Sequence, residues 1–126
     1  MNFSDEFQNG ETFLRGVLPY EQFWNIEQNR TTSAVFKDSK GMSVNRTGED
    51  KQCFKESLEC LKSIHENKFK AIAEVTVELC KSLELYLIYK PESNNVYHSE
   101  IHKSESEPVL TKSSAKKLAE TCKVII

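Results

Sequence analysis

Three stretches of this sequence hold residues whose types and spacing suit chemistry. Arg15 stands inside the apolar run Phe13-Leu14-Arg15-Gly16-Val17-Leu18, where a guanidinium is costly to bury unless a carboxylate or phosphate receives its fork of donors. It reads as a ligand fork or, equally, as a residue on the exposed face of an edge strand. Gly16 beside it would permit a bulge or the close approach of another backbone. A second stretch, Arg30-Thr31-Thr32-Ser33-Ala34-Val35-Phe36-Lys37-Asp38, runs into Gly41-Met42-Ser43-Val44-Asn45-Arg46. Folded as a hairpin, it would face hydroxyls across two strands, a polar wall with Ser33 and Ser43 flanked by Arg30, Lys37 and Arg46, suited to an anion or a polar partner surface. Cross-strand Ser/Thr pairs also serve simply to stabilise a sheet.

The third stretch is Asn94-Asn95-Val96-Tyr97-His98-Ser99-Glu100-Ile101-His102. His98 is the candidate for catalysis, as a general acid/base or a proton donor to phosphate, because imidazole titrates near neutral pH, and Asn95 would orient a substrate. The alternative is a loop-end histidine hydrogen-bonded to backbone. His98 and His102 lie on one face of a strand but about 13 Å apart, too far to share a metal.

Around these stretches the familiar catalytic signatures are missing: no Gly-rich phosphate loop, nucleophile elbow, HExxH or kinase-type set. That favours a binding protein over an enzyme, with no cofactor. Cys53, Cys60, Cys80 and Cys122 form no short pair of the kind structural zinc sites use, and no histidine supplies the spacing. They are expected as buried thiols of a cytoplasmic protein.

The elements that must position these residues follow from periodicity. Thr12 to Leu18 reads as a strand stopped by Pro19, and Tyr20 to Ile26 as a short helix or turn carrying Phe23 and Trp24. Thr31 to Phe36 and Met42 to Asn45 read as the two arms of the hairpin. Thr47-Gly48-Glu49-Asp50 offers a hydroxyl cap followed by an acid. It should open a helix in which Phe54, Leu58, Leu61, Ile64 and His65 form an apolar stripe, with Lys55 and Glu59 outside.

Ala73, Val75, Val77 and Leu79 alternate with Glu74, Thr76 and Glu78, predicting a strand with one wet face. A turn at Cys80 to Leu83 then leads to a strand at Leu85 to Tyr89, ended by Lys90-Pro91. Val96 to His102 alternates as a last strand, and Ser104 to Pro108 is an exposed loop. A closing helix from Thr111 or Ser113 carries Ala115, Leu118, Ala119 and Cys122 inward, and Val124-Ile125-Ile126 packs or marks an interface.

Residues 1–10 read as a flexible N-terminal arm and 11–126 as a single domain, since 126 residues support one core. The order of elements predicts an α+β domain with a mostly antiparallel sheet and two main amphipathic helices.

Seventeen Lys+Arg against nineteen Asp+Glu give a net charge of -2, so no general positive field favours nucleic acid. Lys112, Lys116, Lys117 and Lys123 read as a solvated helix face. No signal sequence or 18-residue apolar run predicts secretion or a membrane span.

Four motifs together resemble an uncharacterised bacterial family. They are Leu14-Arg15-Gly16-Val17-Leu18-Pro19, Thr32-Ser33-Ala34-Val35-Phe36-Lys37-Asp38, Met42-Ser43-Val44 and Asn95-Val96-Tyr97-His98-Ser99. The family pattern is a paired arginine before two prolines, SSAAFKD, MSV and NPAHA. This chain departs at Gly16, Tyr20 and Val96-Tyr97, which stand where the family has Arg, Pro and Pro-Ala. The resemblance implies a shared fold and singles out Arg15, Ser33, Ser43, Asn95 and His98, but implies no reaction.

Two functions follow as expectations. The first is a binding or accessory protein of a bacterial defence system, immunity-type, acting by protein contact through Phe23, Trp24 and Ile126. The second is a small enzyme or sensor for a nucleotide or NAD-like ligand, with Arg15 on phosphate, Ser33 or Ser43 on ribose and His98 as acid/base. An arginine on an early strand before a hydroxyl-rich one is loosely similar to ADP-ribosyltransferases, whose catalytic glutamate has no clear counterpart here.

Overall fold

Where two opposite faces of a sheet are both covered, its central strand must be apolar on alternate sides at once, and Thr12–Val17 (β1) meets that demand. Phe13 and Val17 point into one core and Leu14 into another, each at most 1% exposed. A computed structural model describes residues 3–125. In it β1 is followed by Trp24–Asn25 (β2), Arg30–Thr31 (β3), Met42–Arg46 (β4), the helix Phe54–Ile64 (α1) and Ala71–Thr76 (β5). Then come the helix Val77–Ser82 (α2), Tyr86–Tyr89 (β6), His98–His102 (β7), the helix Lys112–Thr121 (α3) and Lys123–Ile125 (β8).

Six strands form one antiparallel sheet in the order β6-β7-β4-β1-β5-β8, and β2 pairs with β3 in a small separate hairpin. The α+β architecture with a mostly antiparallel sheet is therefore as the periodicity predicts. The larger core lies on one face, where Phe13, Val17, Met42, Val44 and Ile101 meet Ala115 and Leu118 of α3 together with Val35, Phe36 and Phe7. The smaller core lies on the other face, where Leu14 and Ile72 meet Leu61 of α1.

Several elements differ from their expected form. The Thr31–Phe36 and Met42–Asn45 hairpin does not exist: Thr31 pairs back with Trp24, Ser33–Phe36 is a 3-10 turn burying Val35 and Phe36, and β4 pairs with β1 and β7. Burying two large apolar side chains outweighs the local strand preference of the β-branched residues. Thr47 does not cap α1. Its hydroxyl is buried and joins the backbone of Thr12, accepting from Thr12 N at 2.9 Å and donating to Thr12 O at 3.1 Å.

The alternation through Leu79 is cut at Val77, because Thr76 Oγ1 accepts from Leu79 N at 3.0 Å and starts α2. Glu74, expected on a wet face, is 6% exposed and held by Lys51 Nζ at 2.7 Å and by the Thr12 hydroxyl at 2.8 Å. Phe3 and Phe7, expected on a loose arm, pack inward. Phe7 meets Phe13 edge-on at 5.0 Å, and Phe3 meets Tyr89 and Tyr97 at 5.8 and 5.7 Å. Val124 and Ile125 of the apolar end form β8 against β5, while Ile126 lies outside the described residues.

Candidate functional site

The site begins with an interruption in the sheet. β1 pairs with β5 at six positions but with β4 at only two, Phe13↔Arg46 and Leu14↔Asn45, so β1 and β4 part beyond Leu14. Along β4 alternate residues present their backbone groups to alternate neighbours. Thr47 N reaches Thr12 O on the β1 side, so the Ser43 carbonyl faces β1 as well and lacks a backbone donor where the strands part.

Arg15 fills that gap. Its Nη1 donates to Ser43 O at 2.9 Å and its Nε to Val35 O at 3.1 Å, while Nη2 lies 3.7 Å from Asp38 Oδ2. The guanidinium thus stands in for missing ladder donors and ties the Ser33–Phe36 turn to β4. Burial pulls its pKa below the ordinary arginine value, and the Asp38 carboxylate opposes that shift.

Gly16 has a steric reason. The Phe69 ring lies where a side chain would begin, and a Cβ on Gly16 would come within 2.2 Å of it. Phe69 in turn stacks, tilted, on His65 with ring centres 4.7 Å apart. With Leu61 and Ile64 at the end of α1 and with Arg15, Ser43 and His98 from the strands, these rings line a cleft of about 440 Å³. Asp38 and Glu92 also line it.

His98 pairs with Asn45 across β7 and β4, and its Nδ1 lies 2.8 Å from the carbonyl of Lys90. A carbonyl only accepts, so Nδ1 carries a proton, and in the neutral ring Nε2 keeps a lone pair, for which no partner exists among the described residues. The anticipated backbone-bonded histidine and the anticipated cleft histidine are therefore the same residue.

Asn95 reaches the same cleft but is 4% exposed and already engaged. Its amide donates to Asn45 Oδ1 at 2.8 Å, and its carbonyl oxygen accepts from Tyr97 N at 3.1 Å and Cys60 Sγ at 3.5 Å. Asn45 donates onward to Ser57 O at 3.1 Å. Asn95 thus positions the loop before β7 against α1, and is not placed to orient a substrate.

The remaining predicted residues lie elsewhere. Ser33 and Arg30 line a separate, open cleft of about 390 Å³ with Lys116 and Glu120. Arg30 Nη2 donates to Ala119 O and Cys122 O, each at 2.9 Å, and so closes the C-terminal end of α3. Lys37 is exposed and lines neither cleft.

Arg46 is fully buried in the body of the protein. Its Nε and Nη2 meet Glu11 at 2.7 and 3.0 Å, and its guanidinium stacks against Phe3, Phe7 and Tyr89. The polar wall flanked by Arg30, Lys37 and Arg46 is therefore absent, because the hairpin that would have built it is absent.

No family model, curated protein or solved structure matches the chain. The four motifs remain a resemblance of pattern, and the cleft must be read from its own atoms. Among the described residues no three His, Cys, Asp or Glu groups are placed to hold a metal ion, and no helix is long and apolar enough to cross a membrane.

The four cysteines form no disulfide. Burial pushes the Cys80 thiol up to about 12 and raises Cys53 and Cys60, which does not suit any of these three to act as a thiolate nucleophile. Phe69, His65, Asp38 and Glu92 are among the cleft residues that sequence reasoning did not assign to a site. The one available signal was Phe69, a lone large apolar residue in the polar stretch Glu66 to Lys70.

Proposed function

We propose that the protein binds a small polar ligand, of about nucleoside size, in the cleft between β1, β4, β7 and the end of α1. One observation carries this reading: Arg15, Ser43 and His98, from three different strands, line a single cavity of about 440 Å³. That volume is within the range of small-molecule sites, roughly 300 to 1,000 Å³, and the mixture of an apolar wall with a few convergent polar groups is their usual composition. Arg15 is mostly committed to structure, which leaves His98 Nε2 and the Ser43 hydroxyl as the groups best placed to read a ligand.

The reading is tested by two-dimensional amide NMR of the labelled protein titrated with nucleosides, nucleotides and NAD. Saturable shifts should gather at Gly16, Ser43, Phe69 and His98, and His98→Ala should weaken binding about tenfold or more. Shifts scattered over the surface, or none for any of these compounds, would count against it.

A second reading, protein contact, is favoured by the β2–β3 hairpin. Phe23 and Trp24, expected as exposed anchors, pack partly buried against the larger core, but Ile26 at the hairpin tip is 83% exposed and Tyr20 is 54% exposed. If this tip seats in a partner, Ile26→Ser should leave the unfolding midpoint within about 1 °C, since an exposed tip residue contributes little to stability, and abolish co-purification of the partner held by the wild type. Retention of that partner by Ile26→Ser would exclude the tip.

A further inference from the structure

Resting on the proposed ligand site, we infer that its occupant is a flat, unphosphorylated heteroaromatic compound rich in hydrogen-bond donors, a nucleoside or free nucleobase rather than a nucleotide. The polar atoms of the cleft lean toward acceptors. Arg15 is the cleft's only arginine or lysine, and its Nε and one Nη1 hydrogen are spent on Val35 O and Ser43 O while Nη2 faces Asp38. The Asn95 amide is spent on Asn45.

Acceptors are left over. His98 Nε2 has a lone pair in the neutral ring, the exposed Ser43 hydroxyl can accept as well as donate, and Asp38 and Glu92 both line the cavity. With one arginine against two carboxylates the lining carries an excess negative charge, so a phosphate entering would meet like charge at short range with few free donors to replace its water. A nucleobase or ribose instead brings the N–H and O–H groups that these acceptors lack. Its apolar ring atoms would lie beside Phe69, Leu61 and Ile64, which line the cleft.

The test is calorimetric titration of the full chain with adenosine, guanosine, cytidine and uridine and with their 5′-monophosphates, at pH 7.5 and fixed salt. At least one nucleoside should bind ten times or more tightly than its own monophosphate. Glu92→Gln, at an exposed loop position that should not disturb folding, should narrow that ratio several-fold by strengthening the monophosphate. A monophosphate that binds as tightly as its nucleoside, or more tightly, would overturn this inference and leave the ligand site standing. Absence of binding by every compound, with no amide shift at Gly16, Phe69 or His98, would overturn the site and the inference together.

Discussion

Replacing Arg46 by Met removes one half of an ion pair in which both side chains are 0% exposed. Glu11 then keeps the backbone donors Gly48 N and Gln8 N, each at 2.9 Å, but loses the two guanidinium contacts at 2.7 and 3.0 Å. The Ser4 carbonyl loses its Arg46 donor, the Glu6 carbonyl keeps only Gln8 Nε2 at 2.9 Å, and the rings of Phe3, Phe7 and Tyr89 lose the cation 4.3 to 4.8 Å from their centres. Stranding one partner of a buried pair costs about 3–5 kcal/mol. For a chain of this length that lowers the unfolding midpoint by about 10–20 °C.

Urea unfolding followed by circular dichroism and by the single tryptophan, Trp24, would measure the loss directly. The double variant Arg46→Met/Glu11→Gln removes the stranded charge while keeping a carbonyl for Gly48 N. Its cost should fall short of the sum of the two single variants by at least about 2 kcal/mol, within the range seen for directly coupled groups. A cost below about 1 kcal/mol for Arg46→Met, or strict additivity in the double variant, would refute the buried pair as the clamp that holds residues 3–11 to the sheet.

Three further outcomes are expected. Gly16→Ala should displace Phe69, costing about 1–3 kcal/mol by overpacking and lowering ligand affinity in the same NMR titration; unchanged Phe69 resonances would contradict the steric account. In native alkylation at pH 8 followed by mass spectrometry, Cys60, half-buried where the other three cysteines are buried, should be modified first. Cys80, its thiol pushed up to about 12, should be modified only after unfolding, and early labelling of Cys80 would contradict its burial.

Glu100 sits between His102 Nε2 at 2.8 Å and Lys90 Nζ at 3.3 Å. Burial alone would raise its carboxyl pKa, but those two partners outweigh burial and hold it below the ordinary 4.5. A depressed folded value means that the carboxylate's contribution is complete above about pH 4.5 and is lost as pH falls through the lower, folded value. The stability advantage of wild type over Glu100→Gln should therefore vanish below that window, and an advantage that grew on acidification would refute the assignment.

Periodicity made the two longer helices legible because burial in a helix repeats along the sequence itself. Leu61 lies inward and Leu58 half-buried, while Lys55 and Glu59 lie outward, although Ile64 and His65 of the expected stripe are exposed at the helix end; in α3 Ala115, Leu118 and Ala119 are buried, as is Cys122 just beyond it. The outward histidines of β7 were legible for the same reason, with Ser99 and Ile101 inside. The hairpin failed because β-branched composition reports fitness for a pleated surface and names no partner. β4 found its partners in β1 and β7, far away in the chain, and Val35 and Phe36 gained more by folding as a turn into the core.

The amino-acid sequence by itself determined the α+β class, the amphipathic helices and the candidates Arg15, Ser43 and His98, since each depends on neighbours within a turn or a strand. Only the tertiary structure decided that those three share a cleft, that Ser33 and Arg30 belong to another surface, and that Arg46 is matched by Glu11. The reason is physical. Convergence depends on which strands pair and where two of them part, and strand pairing is fixed by the summed burial of both cores, a quantity that no local window contains.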